Sequence, residues 1–229
     1  MDPSGFDGAV DRALRTEVET LLAEHPDGVL PIVQAGHPVL RAPAVPYSGQ
    51  LGDLFEDLLE WMRLTMLDAP GVGLAAPQVG VPLAVAVVHD PGAENAVDPR
   101  ERPPVEHRTL VNPMYRAVPA PDADGVEHLS FYEGCLSVDG YQAVVARARA
   151  VELTSQDELG ARSTEVLVGW PARIVQHETD HLRGELYLDH AELRSLSSQD
   201  NLARWAREVP PAGAAATLGF PLHVRSLLP

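Results

Sequence analysis

The chain has 229 residues, 45% of them hydrophobic, which is enough to bury one sizeable core and favours a single domain with extensions over two domains. Its formal net charge of −16, with all 17 cations arginine, argues against any general attraction to nucleic acid or to an anionic membrane. The single cysteine, Cys135, excludes an internal disulfide, and with no run of 18 or more apolar residues and no basic-then-apolar start the expected location is the cytoplasm.

In chain order, Val10, Leu14, Val18, Leu21 and Leu22 recur at helical spacing and are closed by HPDG at 25–28, which predicts an amphipathic N-terminal helix on the surface of the domain. The proline-punctuated segment 31–47 reads as extended chain. From 51 onward, Leu51, Leu54, Phe55, Leu58, Leu59, Met62 and Met66 share one broad face until Pro70 ends it, so a second amphipathic helix is expected. Residues 81–90 read as a buried strand, 90–108 as a polar, proline-rich excursion and 109–113 as another strand. Residues 141–153 and 163–170 are rich in β-branched and alternating residues, as in an antiparallel sheet. Between Gly169 and Gly184 a helix of about three turns is expected, with Pro171 in its first turn and Gly184 just past its end. The tail from 210 to 229 has too little periodicity to assign. The order of elements is α+β: mixed and antiparallel β-sheets packed around a central helix that carries the candidate metal ligands, with an additional N-terminal helix. The expected divisions are an N-terminal helical extension at 1–30, a catalytic domain at 31–190, and a C-terminal helix with an irregular tail at 191–229.

The chemistry starts in the stretch QHETDHLRG, Gln176 to Gly184. At about 100° per residue, His181 lies about 40° round the helix from His177 and Glu178 about 100°, so two imidazoles and a carboxylate share one side. That is the arrangement of two metal ligands with an adjacent base, against the plainer reading of a surface helix with ordinary polar residues. Three candidates exist for a third ligand. A metzincin would place a histidine three residues after Gly184, but that residue is Tyr187. A thermolysin-like zinc metallopeptidase of the HExxH type would use a downstream carboxylate such as Glu192 or Asp200. Cys135, in FYEGCLSVDGY, would complete a site of one sulfur and two nitrogens with an open position for water, although a lone buried cysteine is also an ordinary small hydrophobe. Upstream, GVGLAA formally fits a dinucleotide-binding fingerprint. A long helix and Pro70 precede it and Pro77 follows, where that fingerprint needs a strand and then a helix. It reads instead as a wall beside a substrate, because small residues let a peptide backbone come close.

Three segments then share one pattern. GVGLAAPQ at Gly71 to Gln78 matches GxGxAAxQ, Glu133 to Ser137 is EGCLS, and Gln176 to Gly184 matches QHExDHLxG. Complete and in order over roughly residues 30 to 190, they make the chain resemble peptide deformylase. The resemblance implies that Cys135, His177 and His181 are metal ligands with water or hydroxide as the fourth, that Glu178 is the general acid/base, and that the Gln78 amide and the Leu136 backbone N–H receive the developing oxyanion. It further implies Fe2+ as the native ion, with Zn2+ or Ni2+ as other occupants, and an N-formyl-methionyl peptide as substrate, presented on ribosome-associated nascent chains. Gly71, Val72 and Gly73 would form the strand-like wall, and Val72, Trp170 and Ile174 the pocket for the methionine side chain, their plain alternative being core. Arg173 stands where an apolar residue is common in relatives, which implies an unusually polar pocket mouth. Glu133 and Arg147 match positions that pair as an ion bridge and brace the loop holding Cys135. Asp139 and Ala146 stand where proline is frequent. The segment SSQDNLARWAREVPP carries balanced charge, so a basic helix for docking on the ribosome is not expected, nor is direct contact with nucleic acid or membrane.

Overall fold

Asp11 opens the first helix by turning its carboxylate onto the N–H groups of Ala13 and Leu14, satisfying donors that no preceding turn can reach. In the computed structural model, which describes residues 5–94, 98–205 and 208–224, this helix is α1 (Arg12–Glu24), and it buries Val18 and Leu22 in the core cluster formed around α2 (Leu54–Asp68). Residues 1–4, 206–207 and 225–229 of the expected extensions lie outside the described residues, as do 95–97 of the polar excursion. Helix α2 buries Leu54, Phe55, Leu58, Leu59, Met62 and Met66 as its spacing predicts, each such side chain stabilising the fold by about 1.5–3 kcal/mol.

This face packs against a five-stranded antiparallel sheet in the order β1 (Gly73–Ala75), β2 (Val85–Asp90), β3 (Val105–Ala117), β6 (Ala150–Gln156) and β7 (Arg162–Val168). A second sheet holds β4 (His128–Gly134), β5 (Tyr141–Ala148) and the two-residue β8 (Ser197–Ser198). Helix α3 (Trp170–Leu182) touches β1, β2, β3, β6 and β7 of the large sheet and β5 of the small one, so the helix predicted at the motif is the centre of the fold. Among the described residues no helix is long and apolar enough to cross a membrane.

The structure departs from the sequence reading in several places, among them a short 3-10 helix at Pro38–Arg41 within the segment read as extended, and Val10, which lies before α1 and is exposed. The segment 141–153, which reads as one run of strand, divides at Arg149 into β5 and β6 of different sheets. The Arg149 guanidinium is buried and is shared by Glu101, Asp122 and Glu127, three carboxylates that hold the chain at the crossover. The strand expected at 109–113 starts earlier, at Val105, and runs to Ala117, because its ends pair with Asp90 and Val151. The C-terminal helix is two short ones, α4 (Gln199–Leu202) and α5 (Ala212–Leu218). No apolar stripe runs through 197–208, and α5 escapes a periodicity test because Ala214 and Ala215 are its buried residues, packed with Val144 and Phe220.

Candidate metal centre and substrate cleft

Helix α3 begins after Gly169, whose φ of 70° a side chain would strain, and a Cβ there would lie 2.4 Å from the Glu101 carbonyl oxygen. Pro171 occupies the first turn, where a missing N–H removes nothing. The helix presents His177, Glu178 and His181 toward the end of β4, where Cys135 follows Gly134 directly. The ligand atoms of Cys135, His177 and His181 all lie within 4.8 Å of one another, and Cys135 Sγ is 3.2 Å from His181 Nε2. A tetrahedral ion with sulfur at about 2.3 Å and nitrogen at about 2.0–2.1 Å needs ligand atoms roughly 3.5 Å apart, so this thiol and these rings fit a metal of that kind. Glu192, which the zinc peptidase reading requires, sits at a 3-10 turn with its N–H on the Val144 carbonyl and is not among the converging ligand atoms; nor is Asp200. Tyr187, which removed the metzincin reading, lies with its ring 6.3 Å from that of His177 and nearly parallel to it.

Burial opposes a proton on His177, but its bonds to Cys135 and Glu133 hold this imidazole well above its ordinary value. His181 is driven well below by burial and by the charges of His177 and Arg147. Glu133 fixes the orientation of His177 by accepting from Nδ1 at 3.1 Å, which leaves Nε2 for the cleft. The expected Glu133–Arg147 ion bridge is present as a two-bond fork of 2.7 and 3.0 Å. Glu178 is buried, its Oε2 has no hydrogen-bond partner, and burial pushes its carboxyl up to about 7 against the pull of His177 and Arg147.

The Gln78 carbonyl oxygen accepts from the Ala75 N–H at 2.8 Å, so its amide nitrogen turns to Ser137 Oγ at 3.3 Å and Cys135 Sγ at 3.5 Å. Cys135 to Val138 form a turn closed by the Val138 N–H on the Cys135 carbonyl, and the Leu136 N–H stands outside that bond. Gln34 clamps the same turn, donating to the Leu136 carbonyl at 3.0 Å and accepting from the Asp139 N–H at 3.2 Å. The departure at Asp139 thus supplies a donor that proline would lack. Gly71 and Gly73 are tied to the site itself. A Cβ on Gly71 would meet Leu136 at 2.9 Å, and one on Gly73 would meet Glu178 at 2.2 Å.

Gly71, Val72, Gly73, Gln78, Cys135, Leu136, Trp170, Ile174, His177 and Glu178 line one open cavity of about 500 Å³, while His181 is buried behind it. Val72, Trp170 and Ile174 also belong to the apolar cluster under the large sheet, so wall and core are the same residues here. Arg173 lines the cavity, but its charge is not what makes the mouth polar. Its side chain is buried and its guanidinium is engaged by Glu133 and by the Val145 and Leu129 carbonyls, so its charge is neutralised inside the wall. The sequence reading missed Arg100 and Arg102, which leave the proline-rich excursion to stack over the Trp170 ring at 5.4 and 5.7 Å and line the cavity. The buried Asp90 holds Arg102 through two bonds, a pairing with no local signal in the sequence.

Comparison with known proteins gives one family. Residues 29–197 match the family model for polypeptide deformylase. The chain is 56% identical over 218 residues to peptide deformylase 3 of Streptomyces avermitilis, covering 93% of each, and 50% identical over 224 residues to the peptide deformylase of Bifidobacterium adolescentis, covering 95% and 99%. Among solved structures it resembles an Acinetobacter baumannii class I type b peptide deformylase with Met-Ala-Ser bound, with TM-score 0.61 and 34% identity over 71% of this chain and 98% of that one. The Thermotoga maritima peptide deformylase gives TM-score 0.58 at 32% identity over 72% and 98%.

Proposed function

This chain belongs to the peptide deformylase family, and we propose that Cys135, His177 and His181 hold the metal on which that family depends, that Glu178 is the general acid/base, and that Gln78 and the Leu136 N–H are the oxyanion donors. The chain is a metal-dependent hydrolase that removes the N-formyl group from formylated peptides. The observation that carries the residue assignment is the convergence of one thiol and two imidazoles beside a buried carboxylate.

When bound, the metal supplies Lewis acidity and brings the pKa of a coordinated water toward neutrality. Glu178 takes a proton on its carboxylate and returns it to the departing amine nitrogen, a shuttle that suits a carboxyl whose pKa lies near 7. As the formyl carbon becomes tetrahedral its oxygen gains charge, and the Gln78 amide and the Leu136 N–H donate to it; losing one such donor typically costs about 2.7–4 kcal/mol of barrier. The peptide backbone pairs with the edge of β1, whose other side alone is bonded to β2, and Gly71 and Gly73 keep that edge open to Leu136 and Glu178. The methionine side chain enters the apolar wall of Val72, Trp170 and Ile174.

One thiolate with two neutral imidazoles is a borderline-soft donor set, and we propose Fe2+ as the native ion, with Zn2+ or Ni2+ as alternative occupants. The source of substrate is proposed to be nascent chains at the ribosome in the cytoplasm, met without direct binding to nucleic acid or membrane, in keeping with the acidic net charge. The test is formate release from a formyl-Met peptide by anaerobically purified, iron-loaded protein. Release is expected from the parent and not from Glu178→Ala with its metal retained; an iron-loaded parent that releases no formate would overturn the proposal.

A further inference from the structure

The ligands to the proposed metal arrive on two elements. Cys135 follows β4, and both histidines sit on α3. A buried ionic cluster centred on Glu133 joins these elements. The two Glu133 oxygens accept from Nε and Nη2 of Arg147, Nη1 of Arg173 and Nδ1 of His177. Arg147 is itself shared, since its Nη1 donates to Asp180 Oδ2 at 2.5 Å, and Arg173 is the second buried guanidinium that Glu133 meets. Arg173 also reaches backbone. Its Nη1 donates to the Val145 carbonyl of β5 at 3.1 Å and its Nη2 to the Leu129 carbonyl of β4, while its Cζ lies 5.0 Å from the centre of the Phe131 ring. One guanidinium, a helical turn before His177, therefore connects α3 to both strands and to the carboxylate that orients the first imidazole.

We propose that Arg173 is a positioning residue for the metal centre: it holds Glu133 jointly with Arg147, and so sets the orientation of His177 and the spacing between the Cys135 sulfur and the two imidazoles. The proposal rests on Cys135, His177 and His181 being the ligands. Without Arg173, Glu133 is left with the Arg147 guanidinium that it shares with Asp180, and the Leu129 and Val145 carbonyls lose this donor. Lysine would keep the charge but not the planar fork that reaches three acceptors together.

The test uses the full chain as parent, Arg173→Met and Arg173→Lys. Zn2+ affinity is measured by competition with a chromophoric chelator, the electronic spectrum of the Co2+-loaded protein is recorded, and kcat and KM for a formyl-Met peptide are determined. Arg173→Met is expected to lose roughly 10–100-fold in Zn2+ affinity, the scale seen when a residue orienting a metal ligand is removed, to shift the Co2+ absorption bands, and to lose kcat more than it raises KM. Arg173→Lys should show the same changes to a smaller degree, and it decides the question alone if Arg173→Met does not fold. Parent-like Zn2+ affinity and Co2+ spectrum in the folded variants, with only KM altered, would make Arg173 a mere part of the substrate wall and overturn the inference. A parent that itself binds no stoichiometric Zn2+ would instead overturn the ligand assignment.

Discussion

Gly73→Ala separates the placement of Glu178 from everything else in the site. Gly73 sits in β1 with backbone angles that alanine adopts without strain, so the change acts through the added methyl group. That carbon would lie 2.2 Å from Glu178 Oε1, 2.5 Å from Cδ and 2.8 Å from Cγ, where ordinary contact begins at 3.4 Å. The carboxyl must retreat by about 1.2 Å, and because three of its atoms are involved, rotation of the terminal bond alone does not relieve the clash. The strand is less able to yield, since Gly73, Leu74 and Ala75 are all paired with β2 and buried. A displacement of about 1 Å in a catalytic group can cost on the order of 100-fold in rate, equivalent to about 2.7 kcal/mol of barrier. The assay is steady-state formate release by the metal-loaded variant, with metal content and melting temperature measured on the same sample. We expect kcat to fall roughly 100-fold with metal stoichiometry near that of the parent, and the melting temperature to fall by roughly 2–12 °C from overpacking. Gly71→Ala is the control, because its methyl group meets only the mobile end of Leu136, at 2.9 Å, and its effect should be several times smaller. A Gly73→Ala enzyme that keeps its metal and works within about 3-fold of the parent would show that the carboxyl has room to move and that its packing on β1 does not position it.

Arg147→Met should destabilise the fold by about 3–5 kcal/mol, because Glu133 and Asp180 both lose a buried partner. Calorimetry should record this as a fall in melting temperature of roughly 6–20 °C at this chain length, and a change under about 2 °C would contradict it. Cys135→Ala should abolish stoichiometric metal binding while Glu192→Ala retains it, as read by elemental analysis; the reverse pattern would restore the zinc peptidase reading. If Gln78 is an oxyanion donor as proposed, Gln78→Leu should lower kcat roughly 100–1000-fold, and a change confined to KM would assign Gln78 to substrate binding alone.

How much of this was legible in the sequence depends on the range over which each feature is encoded. The helix bearing His177, Glu178 and His181 could be read directly, because a four-residue spacing and end signals such as Pro171 and Gly184 act within one or two turns. The apolar face of α2 was legible for the same reason. The third ligand was not, since on the residues alone Cys135, Glu192 and Asp200 remained open, and only the resemblance carried by three motifs favoured Cys135. Arg173 shows the opposite failure. An arginine one turn before the site motif reads as a polar pocket mouth, yet its partners are Glu133 and two carbonyls far away in the chain, and these set its position.

The residues of the chain by themselves determined the chemistry on offer: a pair of imidazoles with a carboxylate between them, small residues beside a substrate, and a lone thiol. Tertiary structure alone decided which of these meet, because the sulfur reaches the imidazoles only when β4 docks on α3. The same docking decided that two buried arginines neutralise Glu133, that the strand run breaks at Arg149, and that Arg100 and Arg102 close over Trp170. Those outcomes depend on charge compensation between segments far apart in the chain. Periodicity records which face of an element is apolar, and it holds no record of which buried charge another segment will answer.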